Sequence, residues 1–279
     1  MTEAARARPG VAPGLLLSLP AVVFLLAFFV GPLALNTGRS LETPDGLGIY
    51  QYARALGDTY YLGVLGVTIA LSIAVTLATL VLGYPLALAI ARSSGRTKSL
   101  LIFMIVTPLL INVVVRTFGW MIILGRSGVI NAILKALNLD TVNIGSGWFA
   151  IWLALVHVLL PFMVLSIAST LEGIDGALEE AATTLGASPF RSFMHVVLPL
   201  SAQGVMTGML LVFALSMGSF VTVMLMGSNA TMVLPLLIYQ QLNLASDWPF
   251  AAALGNILLI TAIIVIAAQL RLAGSRAGR

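Results

Sequence analysis

The chain contains no cysteine and few charged residues. Zero cysteines exclude disulfides and cysteine-based metal or redox sites, and they are compatible with any compartment. Charged residues make up 9% and hydrophobic residues 59% of the 279 residues, whereas about a quarter of an average soluble domain is charged. This composition indicates an integral membrane protein. Its formal net charge of +4 is better explained by orientation in the membrane than by binding of nucleic acid.

Catalytic and nucleotide-binding motifs are also missing. The sequence has no GxxxxGK(S/T) phosphate loop, no HExxH or GxSxG motif, and no clustered histidines or paired carboxylates within its apolar runs. No polar stretch is long enough to form a separate soluble domain, so we treat residues 1–279 as a single transmembrane domain. We therefore expect no catalytic residue, no metal site and no cofactor bound by this chain. The energy for any transport must come from a partner or from an ion gradient.

Six apolar runs are long enough to cross a bilayer, whose hydrocarbon core needs about 20 helical residues. The first runs from about 13 to 35. A cleaved signal peptide is the alternative, but the run exceeds the usual h-region limit of about 15 residues and lacks a small-x-small cleavage site. The core, from about 60 to 270, contains the other predicted spans: 60–91, 100–124, 148–170, 199–226 and 250–270.

Basic residues set the expected orientation, because short loops rich in lysine and arginine stay in the cytoplasm. Such residues precede the first span, separate the second from the third, and follow the sixth: Arg6, Arg8, Arg92, Arg96, Lys98, Arg271, Arg276 and Arg279. We therefore expect both termini and the loop at about 171–198 in the cytoplasm.

The opposite side should carry the loop from 125 to 147, which has apolar residues at helical spacing and is predicted to form a short helix at the outer interface. Trp120, Trp148 and Trp248 fall near the outer span ends, where indole rings favour the headgroup region. Stacking on a ligand is the alternative role for these rings.

The stretch from Glu179 to Pro199 is polar and amphipathic, and it predicts two short helices around a sharp break. Asp175 can cap the first helix, and Gly186 can end it with a positive φ. Ser188 can cap the second helix, and Pro189 fits its first position. Two apolar stripes should result, one from Leu178, Ala181, Ala182 and Leu185 and the other from Phe190, Phe193 and Val197.

This stretch resembles the EAA loop of bacterial ABC-importer permeases, through Glu180-Ala181-Ala182, Gly186 and Val196-Val197-Leu198-Pro199. Further motifs resemble the spermidine/putrescine-type permeases, whose relatives also handle opines and aminoalkylphosphonates: Gly83-Tyr84-Pro85-Leu86-Ala87, Arg116-Thr117-Phe118-Gly119-Trp120, Leu160-Pro161-Phe162-Met163 and Asp247-Trp248-Pro249-Phe250.

The resemblance implies an all-α membrane protein of the type I ABC importer permease fold, with six transmembrane helices and a cytoplasmic coupling helix hairpin. It assigns the ATPase-coupling loop to Glu179, Glu180, Ala181, Ala182, Leu185, Gly186, Phe190, Leu198 and Pro199. It also implies an ABC ATPase dimer that hydrolyses ATP, a second permease subunit in a heterodimer, a periplasmic substrate-binding protein, and a multi-pass location in the bacterial inner membrane.

Inside the spans, the fifth predicted helix carries Gly204 and Gly208, a small-xxx-small pair that lets another helix approach closely. Ser216, Ser219 and Thr222 follow this glycine pair. Their hydroxyls either line a water-filled path or form hydrogen bonds with their own backbone. Arg116 lies about 27 Å above Lys98 if one helix joins them, hence near the outer boundary. The candidate translocation path comprises Arg116, Ser216, Ser219 and Thr222.

His157 is the histidine placed in mid-span, where it either packs through a hydrogen bond or relays protons. With no carboxylate in the same spans, the packing role is favoured.

Together with the resemblance, the sequence predicts a permease subunit of an ABC importer. The alternative is a gradient-driven carrier or channel, for which inverted repeats or intramembrane charges are expected.

The solute is expected to be a small polar organic compound: a polyamine, an opine, an amino-acid-like compound or an aminophosphonate. Members of the resembling group often carry an acid just before the phenylalanine of the fifth span, and Ser219 stands there before Phe220. The lack of acids in spans two to six keeps a zwitterionic or anionic solute open beside a polycation.

Overall fold

A computed structural model describes residues 11–43, 46–142, 144–227 and 231–277, with side chains from Ser18 to Arg271 within those ranges. Arg6, Arg8, Arg276 and Arg279, on which the expected orientation of the termini partly rests, lie outside the described side chains.

Helices account for nearly all of the regular structure, together with one hairpin that pairs β1 (Glu42–Thr43) antiparallel with β2 (Gly46–Leu47). The helices are α1 (Val11–Leu25), α2 (Gly31–Ser40), α3 (Tyr50–Gly57), α4 (Thr59–Arg92), α5 (Gly95–Leu110), α6 (Val113–Leu124), α7 (Val129–Ala136), α8 (Trp148–Glu172), α9 (Gly176–Thr184), α10 (Pro189–Ser192), α11 (Leu198–Leu200), α12 (Ala202–Met217), α13 (Val221–Met226), α14 (Leu234–Asn243) and α15 (Trp248–Ala277). Two π-helical segments, Leu26–Val30 and Phe193–Val197, join α1 to α2 and α10 to α11.

Within the described part of the chain, five helical stretches are long and apolar enough to cross a membrane, and a bent pair raises the number to six. The five are Ser18–Ser40, Thr59–Arg92, Val113–Ala136, Trp148–Glu172 and Trp248–Arg271. The bent pair is Pro189–Leu200 with Ala202–Met217. The first, second, fourth and sixth predicted spans are confirmed, and the third and fifth need correction.

The third predicted span, 100–124, is not one helix, because the chain breaks at Ile111 and Asn112 between α5 and α6. Pro108 removes one helical hydrogen bond just before the break. Asn112 then starts a new helix, since its side chain accepts a hydrogen bond from the backbone N–H of Val114 at 2.8 Å. The stretch long enough to span starts at Val113 and includes α7, which confirms the predicted short helix but joins it to α6.

The fifth predicted span, 199–226, is divided twice. The chain bends by 62° at Ser201, between the end of α11 and the start of α12. It breaks again after Met217, where Gly218 ends α12, and α13 follows as a separate helix. The segment beyond it, which lies between the fifth and sixth predicted spans, contains α14, whose Leu234 N–H bonds to the buried Thr68 hydroxyl at 2.8 Å.

The core is built around α8, which packs against α4 on one side and α12 on another. Both contacts depend on glycines. A β-carbon built at Gly208 would lie 2.6 Å from Sδ of Met163, and one at Gly204 would lie 2.7 Å from the carbonyl oxygen of Ser166. The predicted close helix approach at Gly204 and Gly208 is therefore confirmed. A β-carbon at Gly83 of α4 would lie 3.2 Å from the same residue, Met163, so the three helices α4, α8 and α12 meet there.

At the opposite end from the loop 171–198, α2 and α15 are joined by a buried polar cluster. Asn256 accepts a hydrogen bond from Asn36 at 3.0 Å and donates to the Tyr52 hydroxyl at 2.8 Å. Ser40 completes the cluster through a 2.6 Å contact with the same hydroxyl. The part of the chain before α2 is not covered by the other described helices, since every side chain from residue 18 to residue 30 is exposed.

The Asp247-Trp248-Pro249-Phe250 motif lies at the same end and fixes the start of α15. Asp247 accepts a hydrogen bond from the Phe250 N–H at 3.2 Å and an ion-pair hydrogen bond from Arg54 at 2.8 Å. The Arg54 guanidinium also lies 3.9 Å from the centre of the Phe250 ring, which is fully buried. Trp248 is half exposed, with Arg39 at 5.7 Å from its ring.

Candidate functional site

The loop 171–198 folds as the predicted helical hairpin. Asp175 caps α9, because its Oδ1 accepts a hydrogen bond from the Ala177 N–H at 2.9 Å. Glu179 lies in the first turn of α9, where the helix dipole favours a carboxylate. Ser188 caps α10 by accepting from the Arg191 N–H at 3.4 Å, and Pro189 occupies the first turn of that helix.

Gly186 makes the break between the two helices with a φ of +85°. The Gly186 N–H donates to the Thr183 carbonyl at 2.9 Å, and the Ala187 N–H donates to the Ala182 carbonyl at 3.0 Å. These two bonds form a Schellman motif, which satisfies carbonyls at the end of α9. The positive φ expected of Gly186 is therefore confirmed, and the hairpin has a defined geometry at its tip.

The tip of the hairpin exposes two large apolar side chains. Leu185 is 89% exposed and Phe190 is 69% exposed. The second predicted stripe is only partly correct, because Val197 is buried in the helical core and Phe193 is half-buried against the Tyr84 ring. The most exposed apolar side chains are therefore at the tip, while Leu178 and Met194 on the two arms are less exposed, at 47% and 39%.

The remaining coupling-loop residues differ in exposure. Glu180, Ala181 and Pro199 are exposed, whereas Ala182 and Leu198 are half-buried. The backbone carbonyl of Glu180 accepts hydrogen bonds from the hydroxyls of two threonines in the last turn of α9, and its carboxylate remains at the surface. The coupling role of these residues remains a prediction.

Two ion pairs tie the hairpin to the basic loop between α4 and α5. Arg92 Nη2 lies 2.7 Å from Glu179 Oε2, and Lys98 Nζ lies 3.0 Å from Glu172 Oε2. All four side chains are at least a third exposed, so each pair contributes at most about 1 kcal/mol. The two ion pairs show that the basic loop and the hairpin lie at the same end of the helical bundle.

Arg116 lies on α6, just beyond the helix break. Its Nη1 donates to the Pro108 carbonyl at 2.6 Å, so the guanidinium reaches back to the C-terminal end of α5, where a positive charge is favoured. Its Nε is buried and has no hydrogen-bond partner among the described residues. The predicted height of Arg116 assumed one straight helix, and that assumption is wrong because α5 and α6 are separate.

The other three candidate path residues are not equivalent. Ser219 donates to the Leu215 carbonyl at 2.9 Å, which is the backbone-bonded alternative. Ser216 and Thr222 are buried, and the Ser216 hydroxyl has no partner in the described part of the protein. Because α13 packs against α6, the helices that carry Thr222 and Arg116 are neighbours. Their role in a path remains a prediction.

His157 accepts a hydrogen bond from the indole N–H of Trp120, with 3.3 Å between Nε1 and Nδ1. The two rings meet edge to face, with their centroids 5.4 Å apart. This contact supports the packing role for His157. It also directs the Trp120 N–H into the protein, away from the headgroup position in which an interfacial anchor would place it.

Sequence reasoning did not single out the contacts that join distant parts of the chain. Tyr84 and Ser201 lie 117 positions apart and share a hydrogen bond of 2.7 Å. Asn256, which sits in an otherwise apolar run, was not flagged although a polar side chain in such a run was an available signal. Within the described residues, no three His, Asp or Glu side chains come together to hold a metal ion.

Comparisons with known proteins agree with this architecture. The profile of the family described as "Binding-protein-dependent transport system inner membrane component" matches residues 83–276. The spermidine/putrescine transport system permease protein PotB of Escherichia coli (strain K12) is 35% identical over 241 residues, which cover 83% of this chain and 87% of that protein. PotB of Haemophilus influenzae is 30% identical over 256 residues, which cover 88% of this chain and 90% of that protein.

A solved structure shows the same fold at lower identity. A chain of a bacterial alginate ABC transporter, crystallised in complex with an alginate-bound periplasmic protein, superposes with a TM-score of 0.81. The match covers 95% of both chains at 17% sequence identity.

Proposed function

The chain belongs to the family of binding-protein-dependent transport system inner membrane components, and we propose that its hairpin at 171–198 is the surface through which an ATPase drives it. As a multi-pass permease subunit of an ABC importer, it needs energy from a partner, because its own sequence has no phosphate-binding loop. Membership in this family replaces the alternative of a gradient-driven carrier.

The observation that carries the proposal is the exposed apolar tip of the hairpin. Leu185 and Phe190 project from a polar segment that also carries surface carboxylates, so this segment is unsuited to insertion in the hydrocarbon core. Large exposed apolar side chains with polar neighbours mark protein interaction sites. An apolar groove on an ABC ATPase dimer is the partner that fits both the surface and the family.

The proposed assembly contains two permease subunits, an ATPase dimer and a periplasmic binding protein. One hairpin engages one ATPase subunit, so a second permease with its own hairpin serves the other, and we take the pair to be a heterodimer. The hairpin and the basic loop with Arg92 and Lys98 lie at one end of the bundle. By the distribution of basic residues this end, with both termini, is cytoplasmic. The chain itself has no enzymatic step in this scheme, and ATP is hydrolysed by the partner.

Co-purification tests the docking surface. The permease is expressed with the ATPase and second permease encoded beside it, and the ATPase recovered with a tag on this chain is measured. Replacing Leu185 and Phe190 by alanine should lower the recovery about tenfold or more, since loss of apolar anchors at an interface costs about 2 kcal/mol or more. Leu244→Ala is the matched control, because Leu244 is 76% exposed on the opposite end. Unchanged recovery in the double variant would refute the proposal.

The solute is a small polar organic compound, and different observations favour two classes. Polyamines are favoured by the named function of the PotB relatives. A zwitterionic or anionic compound, such as an opine, an amino-acid-like compound or an aminophosphonate, is favoured by the predicted spans themselves. Spans two to six contain no aspartate or glutamate, while Arg116 is present, and a polycation needs carboxylates or aromatic faces to replace its water.

Competition distinguishes the two classes. The solute that stabilises the neighbouring binding protein in a thermal-shift screen is labelled, and its uptake by the assembled importer is measured with excess putrescine or spermidine. Strong inhibition at micromolar concentration assigns the polyamine class. Uptake that is insensitive to both assigns the zwitterionic or anionic class.

A further inference from the structure

The hairpin is connected to the transmembrane bundle through an elbow at Ser201. Pro189–Leu200 and Ala202–Met217 meet there at 62°. Ser201 is completely buried, and its Oγ donates to the Leu198 carbonyl at 3.1 Å, which satisfies a carbonyl of the last turn before the bend. Along the chain, the hairpin connects to α12 through this residue.

One side chain of α4 contacts the elbow and the segment that precedes it. The Tyr84 hydroxyl lies 2.7 Å from Ser201 Oγ. Because the single hydrogen of Ser201 is directed at Leu198, the Tyr84 hydroxyl is the donor in this contact. The Tyr84 ring meets the Phe193 ring edge to face at 5.5 Å. Phe193 is the first residue of the π-helical segment Phe193–Val197, and such segments are frequent at functional sites.

The surroundings of the elbow are closely packed. Next to Tyr84, Gly83 lies against α8 at Met163, and beyond the elbow Gly204 lies against α8 at Ser166. The three helices α4, α8 and α12 are therefore held together beyond the bend, and packed elements of this kind move as units. The bond between Tyr84 and Ser201 is the polar link across them.

We propose that Tyr84 is a positioning residue that fixes the angle of the elbow at Ser201, so that a displacement of the hairpin moves α12 and α4 together. This rests on the proposed role of the hairpin in coupling. Without the Tyr84 hydroxyl, the hairpin still binds the ATPase, but its displacement is absorbed by rotation at Ser201. ATP hydrolysis then continues with less transport.

The test compares uptake with ATP hydrolysis in the complete importer, reconstituted in proteoliposomes with its binding protein. Tyr84→Phe retains the ring and its contact with Phe193 and removes the hydroxyl. The ratio of solute imported to ATP hydrolysed should fall about threefold to tenfold, the range that corresponds to loss of one buried hydrogen bond. ATPase co-purification should equal that of the wild type. A purely structural defect would lower both activities together and leave this ratio unchanged.

Two further variants make the result decisive. Ser201→Ala should lower the ratio at least as much, because it also removes the bond to the Leu198 carbonyl. The double variant should be no worse than Ser201→Ala alone, because the bond to Tyr84 is already lost in that variant. Tyr60→Phe is the matched control, since Tyr60 lies at the other end of α4 and is half exposed. A wild-type ratio in Tyr84→Phe, independent effects in the double variant, or loss of the ATPase would each overturn the inference. Normal docking with a wild-type ratio overturns this inference alone, whereas unchanged docking in the Leu185 and Phe190 double variant overturns the proposed function.

Discussion

Replacing Gly186 by valine should weaken the binding of the permease to its ATPase without unfolding the permease. The native φ at Gly186 is +85°, a conformation that costs a residue with a β-carbon about 1–2 kcal/mol and is least accessible to a β-branched side chain. A β-carbon at Gly186 would meet no atom within 4 Å. The penalty is therefore one of backbone conformation and not of steric overlap with neighbours.

This conformational penalty destabilises the turn that forms the tip of the hairpin. If the valine variant leaves the left-handed conformation, the two Schellman bonds made by Gly186 and Ala187 are lost. A penalty of about 1–2 kcal/mol lowers the population of the correctly folded hairpin about 5-fold to 30-fold relative to the opened form. ATPase co-purification and solute uptake should fall together, while the amount of protein in the membrane fraction stays near that of the wild type.

Two variants serve as controls for this prediction. Gly176→Val places the same side chain in α9, where a β-carbon also meets no atom within 4 Å and no positive φ is required. It should leave docking and uptake near wild type. Gly186→Asn should be milder than valine, because asparagine enters the left-handed region more readily. Wild-type docking and uptake in Gly186→Val, or equal loss in Gly176→Val, would refute the reasoning.

Further predictions concern the surface charge and the buried polar cluster. Glu180→Ala should reduce uptake by less than about fivefold, since an ionic contact made by an exposed carboxylate contributes at most about 1 kcal/mol; a complete loss of uptake would show that the carboxylate does more than this. Asn256→Leu leaves Asn36 and Tyr52 without their shared partner, so it should destabilise the protein by about 1–3 kcal/mol. A melting temperature of the detergent-solubilised variant equal to the wild-type value would contradict the role of this cluster.

Local features of the hairpin could be predicted because a few neighbouring residues encode them. Asp175, Gly186 and Ser188 each bond to backbone groups two or three positions away, so spacing alone identifies their roles. The contacts between helices had no such signal. Arg92 and Glu179 lie 87 positions apart, and only the packing of α4, α8 and α9 determines that they meet.

The positions of helix breaks could not be predicted from apolarity. Pro85 and Pro108 both lie within apolar runs, yet α4 continues through Pro85, whereas α5 ends two residues after Pro108. The difference lies beyond the proline, where Asn112 provides a cap for a new helix. A hydropathy average cannot register one capping side chain. It also cannot register the hydroxyl of Thr68, on a distant helix, that accepts a hydrogen bond from the first residue of α14.

The length of α4 has a consequence for how the protein sits in the bilayer. Its 34 residues span about 51 Å, while the hydrocarbon core is about 30 Å thick. Even at a tilt of about 40°, the upper end of the usual range, the helix extends about 39 Å along the membrane normal, or about 9 Å more than the core requires. Tyr60 and Arg92 stand near its two ends, and both residue types favour the headgroup region. Because of this surplus, α4 and the helices packed on it can change their inclination together, and apolar residues of α4 still fill the full thickness of the lipid.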